Sequence, residues 1–140
     1  MATAGYSGTP LAKKLGIKEG LTIRVINAPE YYFQLFTDFP ADVEMTTKKS
    51  AKKNFIHFFT DSAAELMKLL PGLKKEIEQN GMIWVSWPKK ASKVPTDVTE
   101  DIVRGFALEI GLVDVKVCAI DDIWSGLKLV IPVKDRVVKE

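Results

Sequence analysis

Residues 86–92, with the sequence SWPKKAS, combine two lysines with a tryptophan and two hydroxyls. Lys89 and Lys90 could hold a phosphate or a carboxylate as point charges, and Ser86, Trp87 and Ser92 lie beside them. This segment is therefore our candidate site for a small anionic ligand. The alternative is a solvated loop that Trp87 anchors to the core, and the general frequency of exposed lysines favours that alternative.

His57 is the only histidine and Cys118 the only cysteine of the chain. His57 lies within the apolar run 55–59 and should point into a face of a sheet, so we favour a packed, hydrogen-bonded histidine over a catalytic one. Cys118 has no histidine near it in sequence, and we expect it to pack as a small apolar side chain. One histidine and one cysteine on separate strands lack the spacing of metal ligands. We assign no catalytic residue and no metal site.

Two other charged clusters have plain structural explanations. Residues 47–54 are basic, but no aromatic side chains alternate with the lysines, and acidic residues balance the charge of the chain, which argues against nucleic acid. We expect a solvated loop there. Asp121 and Asp122 could act as a base and its orienting partner, but aspartates are typical of tight turns, and we favour a turn. The four lysines of the basic segment are Lys48, Lys49, Lys52 and Lys53.

Composition places the chain among ordinary globular proteins. Its 140 residues are 46% hydrophobic and 27% charged, with a net charge of +2, and this length suits one domain. A single cysteine excludes an internal disulfide and favours the reducing cytoplasm. Residues 1–10 contain no apolar run typical of a signal peptide, and no stretch is long and apolar enough to cross a membrane. We expect one domain over 1–140, with a flexible arm at 1–8 and a frayed tail at 134–140.

Apolar patterning and capping residues predict alternating helices and strands. Thr9 is expected to cap the first helix, with Pro10 at its first position and Gly16 at its end. Ser62 and Asp97 are expected to cap the two later helices, and Pro71 should break or kink the first of these. The predicted strands cover 21–26, 43–46, 55–59, 82–87, 113–118 and 127–133, and the predicted helices cover 11–15, 31–36, 62–70, 71–79 and 97–110.

Alternating strands and helices predict an α/β fold, a three-layer Rossmann-like sheet that is mostly parallel and covered on both faces. Residues 55–59 and 82–87 are almost entirely apolar, as is typical of strands buried on both faces. In residues 113–118, valines alternate with polar residues and cysteine, which predicts a less buried strand. The last two strands should form an antiparallel hairpin.

The succession of buried strand, helix, residues 81–87 (GMIWVSW), helix and two final strands resembles the second half of a Rossmann-like methyltransferase. The resemblance implies that the last strand lies antiparallel between its two predecessors, giving the order 2-1-3-4-6-5. Three segments also resemble a family of small bacterial proteins of unknown function: 5–11 (GYSGTPL), 85–92 (VSWPKKAS), and 114–120 continuing to the WSG of 124–126. That likeness carries no activity and no catalytic residues.

The chain departs from the methyltransferase pattern where S-adenosylmethionine would bind. The resemblance implies a glycine-rich turn after the first strand, because only glycine lets the backbone approach the cofactor closely, but residues 27–29 are Asn-Ala-Pro. It also implies an acidic residue at the end of the second strand, where residues 45–47 are Met-Thr-Thr and the only nearby acid is Glu44. We leave the cofactor unassigned.

Three hypotheses follow. Ligands of open parallel sheets bind at the carboxyl ends of the strands, so the first is a non-catalytic domain that holds a small anion near Asn27 and residues 86–92. The second is a methyltransferase that uses S-adenosylmethionine through an atypical turn. The third is a protein-interaction module, such as a homodimer formed through a sheet edge or an aromatic patch of Tyr31, Tyr32 and Phe33.

Overall fold

The computed structural model describes residues 9–137. These residues contain six strands and three α-helices, with short 3-10 turns between them. The predicted arm at 1–8 and the end of the tail at 138–140 lie outside the described residues. The strands are β1 (Thr22–Ile26), β2 (Glu44–Met45), β3 (Lys53–Phe59), β4 (Ile77–Pro88), β5 (Val113–Ala119) and β6 (Trp124–Val130), and the helices are α1 (Leu11–Leu15), α2 (Ala63–Glu76) and α3 (Glu100–Glu109).

The strands form one sheet of order β2-β1-β3-β4-β6-β5, which confirms the predicted order. Strands β2, β1, β3 and β4 are mutually parallel, and β6 lies antiparallel to both β4 and β5. In the middle of the sheet His57 of β3 lies opposite Trp84 of β4, and Trp84 lies opposite Lys128 of β6. The two apolar runs predicted to be doubly buried are therefore the two central strands.

Each face of the sheet carries its own core. On one face, α2 and α3 pack against alternate residues of β3, β4 and β6, including Phe58, Val85 and Leu127. On the other face, α1 and residues 35–43 cover a second cluster that contains Phe55 and Trp84. The indole Nε1 of Trp84 donates a buried 2.8 Å hydrogen bond to the carbonyl of Leu15 and so holds α1 against the sheet.

Ser62 caps α2 as predicted, because its Oγ accepts a hydrogen bond from the backbone N–H of Glu65. The predicted cap of the next helix is wrong. Thr99 caps α3 by accepting from the N–H of Ile102, whereas Asp97 accepts from the N–H of Ala63 at 2.8 Å. Asp97 therefore satisfies a free donor at the start of α2, which lies 34 residues away in sequence.

Pro71 does not break α2, which runs without interruption from Ala63 to Glu76. A proline in a helix removes the hydrogen bond to the carbonyl four residues earlier, here that of Met67. The Met67 side chain is 49% exposed, so water can reach this turn of the helix. Leu70 and Leu73 on either side of Pro71 are buried against the sheet, and their packing keeps the helix intact. The helix predicted for 71–79 is wrong beyond Glu76, because β4 begins at Ile77 opposite Lys53.

Other predicted boundaries shift by a few residues. The predicted helix at 31–36 is only a 3-10 turn over Tyr32–Leu35. Pro10 is the N-cap of α1 rather than its first residue, and Gly16 ends it with a left-handed φ of 91°. Strand β6 begins and ends earlier than predicted, and Val133–Asp135 forms a 3-10 turn at the start of the tail.

Lys53 is not part of a solvated loop, and this corrects the prediction for residues 47–54. It begins β3 and is completely buried. Its ammonium donates to Glu76 at 2.8 Å and to the carbonyl of Lys48. A buried lysine is stable when it is paired in this way, and the partner at position 76 was not apparent from sequence. No helix within residues 9–137 has the length and apolar composition needed to cross a membrane.

Candidate functional site

The crevice at the carboxyl ends of β1 and β3 is narrow and polar. Asn27, directly after β1, has a left-handed φ of 59°, and its Nδ2 donates to Glu65 Oε2 at 3.3 Å. Thr60, directly after β3, donates from Oγ1 to Glu65 Oε1 at 2.6 Å. Glu65 therefore links the ends of the two strands. The remaining cavity here has a volume of about 260 Å³, and Phe59 and Trp124 also line it.

A second bridge joins the segment after β1 to the β5–β6 turn. The phenol of Tyr31 donates to Asp121 Oδ2 at 2.8 Å. The other carboxylate oxygen accepts from the backbone N–H groups of Ile123 and Trp124, both at 2.8 Å, which confirms the predicted turn. Burial, followed by the hydrogen bond to Asp121, raises the pKa of Tyr31 to about 12. Tyr31 therefore remains a protonated donor at neutral pH.

The residues of this crevice do not fit S-adenosylmethionine. Asn27 keeps the left-handed backbone that a glycine would supply, but its side chain extends to Glu65. The cavity of about 260 Å³ lies below the roughly 300–1,000 Å³ of typical ligand pockets. At the end of β2, Met45 and Glu44 are exposed to solvent. Asn27, Thr60 and Glu65 therefore narrow the place where this fold would receive the cofactor.

A larger cavity of about 590 Å³ lies beside the end of β4 and the start of α3. Its apolar wall includes Trp87, which is buried, and Val98. Two lysines, Lys90 and Lys93, stand at its edge and are exposed. The full lining is Trp87, Pro88, Lys90, Lys93, Val94, Pro95, Thr96, Val98, Thr99 and Glu100.

The charge at this cavity is positive. Within residues 9–137, neither the Lys90 nor the Lys93 ammonium has a hydrogen-bond or ion-pair partner. The acidic residues of the first turn of α3, Glu100 and Asp101, are both paired with Arg104. The start of α3, where the positive end of its helix dipole lies, also borders this cavity. An apolar wall with unpaired ammonium groups at its edge suits a molecule that has an apolar part and an anionic group.

The predicted binding residues separate into different places. Trp87 and Lys90 line the 590 Å³ cavity, whereas Asn27 lines the narrow crevice. Ser92 holds the loop itself, since its Oγ donates to the carbonyl of Lys89 at 2.7 Å and accepts from the N–H of Val94. The backbone N–H of Lys89 donates to the carbonyl of Ile123 at 2.7 Å, which ties this loop to the β5–β6 turn.

Ser86 is completely buried and belongs to a hydrogen-bonded chain with His57 and Tyr32. His57 Nε2 and Ser86 Oγ lie 2.7 Å apart, and His57 Nδ1 and the Tyr32 hydroxyl lie 3.0 Å apart. Burial lowers the pKa of His57 to about 3, so the ring is neutral at physiological pH. The prediction of a packed, hydrogen-bonded histidine is confirmed. Ser86, although predicted as a binding residue, therefore does not line the 590 Å³ cavity.

Lys93 and the threonines of the 590 Å³ cavity were not among the predicted binding residues. The sequence did contain a signal for Lys93, because this lysine follows Lys89 and Lys90 after only two residues. The sequence analysis did not single out Thr96 and Thr99, whose hydroxyls accept from the backbone N–H groups of Val98 and Ile102 respectively. Of the predicted aromatic patch, Tyr32 is buried, Tyr31 is half-buried and Phe33 is 54% exposed, so only part of the patch reaches the surface.

No family model matches the chain, and no curated protein sequence resembles it significantly. Solved structures do resemble it in fold. A putative type 11 methyltransferase from Sulfolobus solfataricus aligns with a TM-score of 0.60 at 14% identity, covering 93% of this chain and 91% of that one. A SAM-dependent methyltransferase from Aquifex aeolicus gives 0.56 at 14%, with 86% and 87% covered. The ribosomal protein L11 methylase from Lactobacillus delbrueckii subsp. bulgaricus gives 0.54 at 12%, with 84% and 72% covered. Together with the strand order, these similarities show that the chain has the α/β fold of SAM-dependent methyltransferases.

Proposed function

We propose that this protein is a non-catalytic binding domain on a methyltransferase-like scaffold, and that its ligand is a small molecule with an apolar part and an anionic group. One observation carries the proposal. The 590 Å³ cavity beside β4 and α3 has a wall built from Trp87 and other apolar residues, and at its edge stand two ammonium groups that have no partner within residues 9–137. Its volume lies within the usual range for small-molecule sites.

The lysines should contribute charge rather than directional recognition. An ammonium group on a flexible stem acts as a point charge and accepts either a carboxylate or a phosphate. The edges of Trp87 and Val98 that line the cavity offer apolar contact to a ring or an alkyl group. We therefore expect aromatic anions to bind better than inorganic ones.

A methyltransferase that uses S-adenosylmethionine is the second candidate. The likeness to a methyltransferase over nearly the whole of both chains favours it, as does the left-handed backbone at Asn27. The occupied crevice argues against it, and we assign no catalytic residue. A homodimer is the third candidate, favoured by Val115 and Val117 of the edge strand β5, which are about half exposed.

Thermal unfolding in the presence of anions tests the binding proposal. At ten times its Kd, a ligand adds about 1.4 kcal/mol to the free energy of unfolding, which raises the Tm of a protein of this size by about 5 °C. We expect benzoate or phenyl phosphate to give such a rise and inorganic phosphate to give less. The double variant Lys90→Ala, Lys93→Ala should lose the rise, whereas the control Lys18→Ala, Lys134→Ala, which removes two exposed lysines elsewhere, should keep it. Equal shifts in both double variants, or no shift with any aromatic anion, would contradict the proposal.

Two further expectations stay predictions. Membership of the family of small bacterial proteins rests on the three segments quoted above, the first of which falls largely outside the described residues. A cytoplasmic location rests on cysteine usage alone.

A further inference from the structure

A third cavity lies on the α2 side of the sheet, away from both strand-end sites. It has a volume of about 390 Å³ and lies between β1, α2 and the loop that precedes β3. The segment after β1 packs on the opposite face of the sheet, so the α2 side of β1 is open around Arg24. The lining residues are Arg24, Ile26, Lys49, Lys68, Leu69, Gly72, Leu73, Lys75 and Glu76.

Arg24 and Glu76 in the wall of this cavity form a charged cluster with Lys53, which is buried and does not line the cavity itself. Arg24 Nη1 donates to both carboxylate oxygens of Glu76, at 2.8 and 2.9 Å, and Lys53 Nζ donates to Glu76 Oε1 at 2.8 Å. The Lys53 side chain is fully buried and that of Glu76 is 8% exposed. Two cations therefore share one carboxylate, and the cluster keeps a positive charge beneath the cavity.

Three more lysines line the same cavity and increase this excess. The ammonium groups of Lys49, Lys68 and Lys75 form no ion pair with any carboxylate of residues 9–137. Glu76 is the one acidic residue in the lining, and Arg24 and Lys53 already neutralise it. Like charges gathered around a partly enclosed space repel one another more strongly than in open solvent. A bound polyanion would relieve that repulsion.

We propose that this cavity binds a small, multiply charged phosphate compound, such as a polyphosphate or a phosphate ester, at a site separate from the 590 Å³ cavity. Both hydrogen bonds of Arg24 start at Nη1, so its Nε and Nη2 retain N–H donors for phosphate oxygens. The lysines supply further positive charge at the rim. A volume of about 390 Å³ suits a small molecule.

Gly72 allows a test that removes none of these side chains. It lies inside α2 and lines the cavity, and a Cβ built there meets no atom within 4 Å. Gly72→Glu places a carboxylate among the lysines, while Gly72→Ala adds only a methyl group. Both replacements favour the helix over glycine, so each should raise the Tm by about 3 °C. Gly105→Glu is the matched control, because Gly105 lies in α3 with equal free space.

Calorimetric titration with inorganic tripolyphosphate at low salt gives the readout. We expect the wild type, Gly72→Ala and Gly105→Glu to bind alike, and Gly72→Glu to bind at least about tenfold more weakly because of charge repulsion. The affinity of the wild type should also fall as salt is raised. The variant Lys90→Ala, Lys93→Ala should bind tripolyphosphate normally, which separates this site from the proposed function.

Three results would overturn the inference. The first is no binding of millimolar tripolyphosphate by the wild type. The second is equal weakening in Gly72→Glu and Gly105→Glu, which would indicate a response to net charge alone. The third is tight binding of a single-stranded oligonucleotide without any binding of tripolyphosphate, which would assign the lysines to nucleic acid.

Discussion

Replacing Glu76 with glutamine should lower the free energy of unfolding by about 3–5 kcal/mol. The substitution keeps the size of the side chain but removes the one carboxylate that Arg24 and Lys53 share. Lys53 is completely buried, so its ammonium would lose its counter-charge in a place that water does not reach. Removing one partner of a buried ion pair costs far more than removing an exposed pair. Urea unfolding followed by tryptophan fluorescence measures the loss.

Two variants show whether the loss comes from the uncompensated charge. Glu44→Gln removes an exposed carboxylate on β2 and should change the free energy of unfolding by less than about 0.5 kcal/mol. Adding Lys53→Met to Glu76→Gln removes the buried cation as well, and the double variant should be more stable than Glu76→Gln alone. A loss below about 1 kcal/mol in Glu76→Gln would mean that the cluster is solvated, and would also weaken the case for an anion site above it.

Acidification from pH 6.5 to pH 3 should remove about 4 kcal/mol of stability through His57 alone. Burial lowers the pKa of His57 in the folded protein to about 3, against about 6.5 in an unfolded chain. Above pH 6.5 the ring is neutral in both states, and its contribution to stability is fully present. As the pH falls through this window the unfolded state binds the proton first, so the free energy of unfolding decreases.

Because His57 is the only histidine, its titration can be isolated. The imidazole proton resonances of the folded protein should not shift between pH 8 and pH 5. The variant His57→Gln lacks the titrating ring, so its unfolding free energy should fall less steeply than that of the wild type between pH 6.5 and pH 4.5. Parallel pH profiles, or a ring that titrates near pH 6.5 in the folded state, would show that His57 is accessible to water.

The sheet was predictable because its strongest sequence signals are local. Residues 55–59 and 82–87 are apolar on both faces, and they are the two central strands. The antiparallel hairpin was predicted because a short turn around Asp121 joins the last two strands, and the structure confirms it. The order of the strands came from the methyltransferase resemblance, and the structure confirms it. The errors arose where tertiary contacts outweigh local rules. The packing of Leu70 and Leu73 keeps α2 continuous through Pro71. Asp97 accepts from a backbone N–H at the start of α2, a helix far from it in sequence.

The sites were only partly predictable for the same reason. Trp87 and Lys90 are neighbours in sequence and line one cavity. By contrast, Arg24, Lys53 and Glu76 come from β1, β3 and α2, and only the folded chain brings them together. From the sequence alone, Lys53 was predicted to belong to a basic loop, because its partner Glu76 lies 23 residues away. The absence of a glycine after β1 was visible in the sequence, but the hydrogen bonds of Asn27 and Thr60 to Glu65 were not.

Isothermal titration with S-adenosylmethionine and its demethylated product tests most directly whether the cofactor crevice of this methyltransferase-like fold is closed by its own side chains. Because Asn27 and Thr60 each donate a hydrogen bond to Glu65 across the strand ends, we expect no binding of either compound at roughly millimolar concentration. Saturable binding of either compound at micromolar concentration, weakened by Glu65→Ala or Asn27→Ala, would contradict the closed crevice and favour the methyltransferase candidate.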